Sequence, residues 1–181
     1  DDGRLIWMLD GYTTTDRYPY SDPVPGIGNY IRNSVKVTID AYDGTVTFYR
    51  ADDSDPIVRA YGGAFPGLLK PLDQMPEALR RHIRYPEDFF AIQARKYATY
   101  HMLDPQVFYN KEDLWSIPKR MVDGQEREIE SYYTIMRLPG EKAEEFILLS
   151  PFNPSKKDNM IAWMAARSDG SNYGKLIAYN F

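Results

Sequence analysis

The stretch VKVTIDAYDGTVTFYRAD (35–52) constrains this chain more than any other. Val35, Val37, Ile39 and Ala41 alternate with polar residues, and after Asp43-Gly44 the pattern resumes with Val46 and Phe48 between Thr45, Thr47 and Tyr49. An Asp-Gly pair between two period-two runs is the strongest short-range hairpin signal, because Gly44 takes positive φ without steric cost. Part of a sheet is therefore specified locally, and the remaining sequence must extend and cover it.

Upstream, Leu5–Gly11 (LIWMLDG) is a short apolar run that predicts a buried strand. Residues 12–34 carry Thr13, Thr14, Thr15, Pro19, Pro23, Pro25, Gly26 and Gly28 with little periodicity, which predicts a long ordered loop. Connections of that length in compact domains are usually functional or disordered. Tyr12, Tyr18, Tyr20 and Tyr30 offer apolar area to pin this one down.

From Asp55 to about Lys119 the period becomes helical. Asp55-Pro56 starts a helix with Ser54 or Asp55 as its cap, and Gly62-Gly63 weaken or end it. Pro71 to Arg84 predicts a second helix on the stripe Met75, Leu79, Ile83. Pro86 to Met102 predicts the longest, with Glu87 and Asp88 in its first turn and Phe90, Ala94, Tyr97 and His101 down one face. Asp104-Pro105 opens a short segment that ends before Pro118. Strand-like runs return at Tyr132–Leu138, Phe146–Leu149 and Lys175–Phe181. In MIAWMAAR (160–167) the Met and Ala content favours helix, whereas Ser168-Asp169-Gly170 before a second apolar run favours a hairpin. We read it as strand.

Segregated strands and helices predict an α+β fold, an antiparallel or mixed β-sheet with a helical insertion in the middle of the chain. The whole of 1–181 reads as a single α+β domain with a helical subdomain at about 55–119. The chain starts Asp-Asp-Gly-Arg without Met and stops after GKLIAYNF, which reads as a fragment of a larger protein. A strand whose partner lies elsewhere leaves a bare edge, so self-association through 175–181 is expected.

Composition excludes several classes. A net charge of -4 with interspersed signs lacks the clustered basic face that nucleic acid requires. The densest basic patch, Arg80, Arg81, His82 and Arg84, reads as a solvated helix face. Without cysteine there is no disulfide, thiolate nucleophile or Cys-ligated zinc. No window approaches the roughly 18 consecutive apolar residues of a spanning helix. Phosphate-loop, dinucleotide, zincin, nucleophile-elbow and EF-hand motifs are all missing. The two histidines, His82 and His101, fall on different predicted helices, and His101 continues a core face. Asp52, Asp53 and Asp55 superficially suggest a cation, but Pro56 follows at once and a helix cap is the simpler account. No catalytic residue, metal ligand or cofactor is assigned.

The best candidate site is TTTDRYPYSD (13–22). Asp16, Arg17, Tyr18, Tyr20 and Asp22 place charged forks beside aromatic faces, a mixture suited to a sugar or peptide ligand. The plainer account is that Asp16 and Arg17 pair with each other or with the backbone to hold the loop.

Four blocks carry a resemblance: LDGYTTTDRYPYSD; VKVTIDAYDGTVTFYRAD; HIRYPEDFFAIQARKYATYHMLDP with FYNKEDLW; and LLSPFNPSKKDNMIAWMAARSDGSNYGKL. In collinear order they resemble an uncharacterised family of large bacterial multi-pass membrane proteins, cyanobacterial and actinobacterial among others. The resemblance implies a soluble region on the extracytoplasmic side of the cell membrane, partnered by the membrane-embedded part of the same polypeptide. It implies no activity, cofactor or catalytic residue. The expectation is a non-catalytic extracytoplasmic binding or assembly domain. The alternative is an enzyme acting on cell-envelope carbohydrate or peptide, which needs only two suitably spaced carboxylates.

Overall fold

The computed structural model describes residues 3–181. The chain divides into two compact units, Asp1–Ile83 and Arg84–Phe181. The boundary falls inside the 55–119 helical stretch, so the helix after Asp55 belongs to the first unit and the longest helix to the second. The fold is α+β, with strands and helices in both units.

In the first unit, β1 (Ile6–Thr15), β2 (Tyr30–Asp40), β3 (Val46–Arg50) and β4 (Leu69–Pro71) form one sheet in that order. β2 and β3 are the hairpin predicted around Asp43-Gly44, in antiparallel register from Ile39↔Val46 to Val35↔Arg50. β3 and β4 are parallel, joined by helix α1 (Pro56–Ala64). Asp55 is the cap of α1: its side chain accepts from the Ile57 N–H at 2.9 Å, and Pro56 stands where no N–H is needed. Gly62-Gly63 are absorbed within the helix, which runs on to Ala64.

Two expectations fail here. The predicted loop over 12–34 is shorter, because β1 continues to Thr15 and β2 already begins at Tyr30. The β-branched threonines and Tyr30-Ile31 are strand formers, and they pair as Thr13↔Arg32, Thr14↔Ile31 and Thr15↔Tyr30 past a bulge after Gly11. The second predicted helix, Pro71 to Arg84, is broken into a 3-10 turn at Leu72–Gln74 and the short helix α2 (Glu77–Arg80). Pro76 forces the residue before it out of helical geometry, and Met75 is extended at φ -68, ψ 133.

The second unit is organised around β9 (Glu145–Pro154) and β10 (Ala162–Arg167), so 160–167 is strand. The sheet order is β11 (Leu176–Asn180), β10, β9, β5 (Trp115–Ser116), and β8 (Tyr132–Met136) also pairs β9. All these pairings are antiparallel, and β11 lies at one end of the sheet. Both faces of β9 and β10 are covered. Leu148, Phe152, Ala162, Met164 and Ala166 pack with Phe90, Ala94 and Ala98 of helix α3 (Glu87–Tyr100). Ile147, Leu149, Trp163 and Ala165 pack on the other side with Leu138, Met136, Ile177 and Tyr179. Helix α4 (Pro105–Asn110) is capped by Asp104, and a separate hairpin joins β6 (Lys119–Val122) to β7 (Gln125–Glu128).

His101 follows α3 and stacks on Trp115 with ring centroids 3.6 Å apart. Its Nδ1 lies 3.1 Å from the Tyr97 carbonyl oxygen, a partner that fits the core role read from the sequence. Near one end of the sheet Arg167 forks onto both oxygens of Glu145 and donates to Glu141 at 2.8 Å. Those hydrogen bonds from Arg167 hold the Glu145 carboxyl below its ordinary range.

Candidate functional site

The predicted loop site lies wholly in the first unit. Asp16 and Arg17 approach to 3.9 Å, with both side chains more than four-fifths exposed. A pair so solvated contributes little, so it does not hold the loop. That work falls to Asn29, whose side chain accepts from the Tyr18 N–H at 3.0 Å and donates to the Tyr18 carbonyl at 2.6 Å. Tyr18 also stacks on Tyr30, centroids 5.5 Å apart. Tyr20 projects fully into solvent from a left-handed backbone (φ 60), and Asp22 is exposed. Of the five residues, Asp16 and Arg17 come together and Tyr18 joins Tyr30.

Beneath that loop lies a polar centre that the sequence reading treated as a helix cap alone. Asp55 is fully buried. Its Oδ2 accepts from Thr13 Oγ1 and Ser34 Oγ, both at 2.5 Å, and its Oδ1 accepts from Tyr30 OH at 2.8 Å as well as from the Ile57 N–H. Burial opposes the charge, yet the donors Ser34, Thr13, Tyr30 and Ile57 outweigh it and hold the carboxyl below its ordinary value. The Tyr30 hydroxyl is pushed up to about 12, by burial first and by Asp55 second. Nearby Lys36 is buried, pairs with Asp10 and donates to Asn33 Oδ1 at 2.5 Å. Burial lowers its pKa, and Asp10 only partly offsets that.

These groups belong to one face of the sheet. Along β2, Ser34, Lys36 and Thr38 are all buried, and Tyr49, cross-strand from Lys36, is buried with them. Residues directly opposite in a ladder share a face, so the other face can be read from the register. Its rows are Trp7–Ile39–Val46 and Leu9–Val37–Phe48, the latter extended by Leu69. Trp7 is 67% exposed, Leu9 49% and Val46 46%, while Val37, Ile39 and Phe48 are half-buried. The sheet is inverted: hydroxyls, a lysine and a carboxylate lie inside, and an aliphatic and aromatic surface faces out.

The expectation of a buried strand at Leu5–Gly11 is therefore corrected. The strand exists as β1, but Trp7 and Leu9 are among its exposed residues, as is Leu5 just before it. The alternation in VKVTID locates the strand correctly and does not say which side is covered. A signal was present, since Ser34 and Lys36 carry the hydrogen-bonding groups that Asp55 and Asp10 complement.

Among the described residues no helix is long and apolar enough to cross a membrane. No solved structure matches the chain. Relatives are close in sequence. A UPF0182 protein of Pelotomaculum thermopropionicum is 60% identical over 99% of this chain and 20% of its own length. One from the cyanobacterium Nostoc is 58% identical over 99% of the chain and 18% of its own length. One from Geobacter sulfurreducens is 58% identical over the full chain and 20% of its own length. The chain thus spans about a fifth of the curated relatives it matches. The family model described as "Uncharacterised protein family (UPF0182)" matches residues 1–181 throughout, and the chain belongs to that family.

Proposed function

We propose that the chain is a non-catalytic domain for binding or assembly, on the extracytoplasmic side of a longer multi-pass bacterial membrane protein. The observation that carries this reading is the inverted sheet of the first unit. A contiguous outward surface centred on Trp7, Leu9, Val37, Ile39, Val46 and Phe48 is the kind of patch that marks an interaction site.

The occupant we assign to it is another part of the same polypeptide. Relatives carry about four-fifths of their length outside the matched region. A tethered segment reaches such a face at high effective concentration, whereas an untethered copy must pay for encounter. Covering the face in cis also keeps it from pairing molecules at random. Membrane attachment and sidedness rest on the family resemblance.

The 181 residues contain no cysteine, so an introduced thiol is the single reporter within this region. Leu9→Cys on the apolar face and Tyr109→Cys on α4, 86% exposed, serve as probe and control. A maleimide should modify both readily in the 181-residue chain. In the full-length protein Leu9→Cys should be protected about tenfold or more, with Tyr109→Cys unchanged. Equal modification of Leu9→Cys in both settings refutes the assembly reading. With a membrane-impermeant maleimide, Tyr109→Cys should react in intact cells, and reaction only after lysis refutes the location.

A further inference from the structure

The second unit holds a cleft of about 590 Å³, within the usual range for ligand cavities. Its floor is an interruption in the sheet. β8 pairs with β9 as far as Tyr132↔Leu149, and β5 resumes on β9 only at Ser116↔Asn153. Residues 150–152 therefore lack a strand neighbour on that side. Pro151 falls in the gap and has no N–H to give, so a continuous ladder is not lost there.

Ser150 lines the cleft at this gap and is 1% exposed. By strand parity it shares a face with Leu148 and Phe152, which pack in the core beneath α3. Its hydroxyl has no hydrogen-bond partner among the described residues. That oxygen is not sealed within the chain but opens onto the cleft, where an entering group can reach it. Among the residues α3 contributes, Ala91 and Ala94 are small, which leaves room.

The walls are aliphatic. Ile117 and Ile129 line them, and the Ile129 N–H donates to the Pro118 carbonyl at 2.8 Å, fixing the segment after β7. Arg95 and Glu128, 2.8 Å apart, clasp α3 to β7 and neutralise one another. What remains at the rim is Glu87, Asp88 and Glu130 against Arg127, an anionic excess with no ion pair among the described residues. No aromatic ring lines the cleft, so it offers no stacking face for a sugar.

An anionic mouth, aliphatic walls and an unmet hydroxyl at the floor define one ligand chemistry. We infer that this cleft binds a small aliphatic ammonium compound carrying a hydrogen-bonding group at its far end. The ammonium sits among the rim carboxylates, the alkyl stem lies along Ile117 and Ile129, and the far group exchanges a hydrogen bond with Ser150. The site lies in the second unit and does not depend on the apolar face of the first.

The test is an amide NMR titration of the 181-residue chain with aminopentanol, pentylamine, pentanediol and hydroxypentanoate. Aminopentanol should give saturable shifts at Ser150, Ala94 and Ile129. Pentylamine, lacking the hydroxyl, should bind about fivefold more weakly. Pentanediol should lose about as much for want of the charge. Hydroxypentanoate should not bind. Ser150→Ala should remove the preference for aminopentanol over pentylamine. Glu130→Gln, on an exposed residue, should weaken both amines and leave the rest of the spectrum in place. Equal response to pentanediol and aminopentanol overturns the proposal. So do shifts confined to Glu87, Asp88 and Glu130 that never saturate.

Discussion

The two sheets solve the same problem in opposite ways. β9 and β10 of the second unit bury both faces in apolar packing, with Phe152 and Leu148 on one side and Ile147 and Trp163 on the other. The sheet of the first unit buries its polar face, satisfies it through Asp55 and Lys36, and turns its apolar face outward. Core packing is indifferent to what lies outside. A hydrogen-bonded interior costs about as much as it returns, since each bond replaces one to water. The first unit thus leaves a hydrophobic surface exposed where the sheet of the second buries its own.

This contrast can be broken at three points. The largest effect belongs to the packed sheet. Phe152→Ala leaves a cavity beneath α3 and should cost about 3–5 kcal/mol. Hydrogen exchange should show lost protection along β8, β9 and β10; a loss below about 1 kcal/mol would mean that the second core is not what stabilises that unit. The polar centre comes next. Asp55→Ala strands three hydroxyl donors and an N–H and should cost about 2–3 kcal/mol, read as lost protection in β1 and β2.

The same carboxylate sets a pH dependence. Its folded value is depressed, so its contribution is complete above the ordinary carboxylate range and is lost as pH falls through the lowered value. Asp55→Asn should be less stable than wild type at neutral pH and should flatten the acid limb of the first unit. An unchanged acid limb would show that Asp55 is not the group that titrates. The smallest effect is expected on the outward face. Trp7→Thr combined with Leu9→Thr should change stability of the 181-residue chain by under about 1 kcal/mol. A larger loss would mean that the face is already part of a core.

How far these features were legible depended on whether they used apolar periodicity. The Asp43-Gly44 hairpin was plain because Val35, Val37, Ile39, Val46 and Phe48 flank it. Asp123-Gly124 is a tighter, two-residue turn, with φ 52 and φ 77 at its central residues where the first hairpin has positive φ only at Gly44, and it joins β6 to β7. It went unread because KRMV and QERE are mostly charged on both sides and show no alternation. Thr13 to Thr15 and Tyr30 were read as loop for the same reason, since that end of the ladder surrounds a carboxylate. The loop candidates Asp16, Arg17, Tyr18, Tyr20 and Asp22 were chosen for chemical variety, which says nothing of enclosure. Ser150, an unmarked serine within an apolar run, offered no sequence signal at all.

Pro151 has a consequence beyond the gap in which it sits. Because β9 is apolar on both sides, sliding it by one residue would exchange one greasy surface for another, and hydrophobicity alone would not forbid the slip. The imide ring does forbid it. Only one alignment parks a donor-less nitrogen opposite empty space, and every other sets it against a neighbour awaiting a proton. A single ring thereby acts as the alignment pin of the second unit, and moving that proline by one position would be felt as scrambled pairing before it was felt as lost packing.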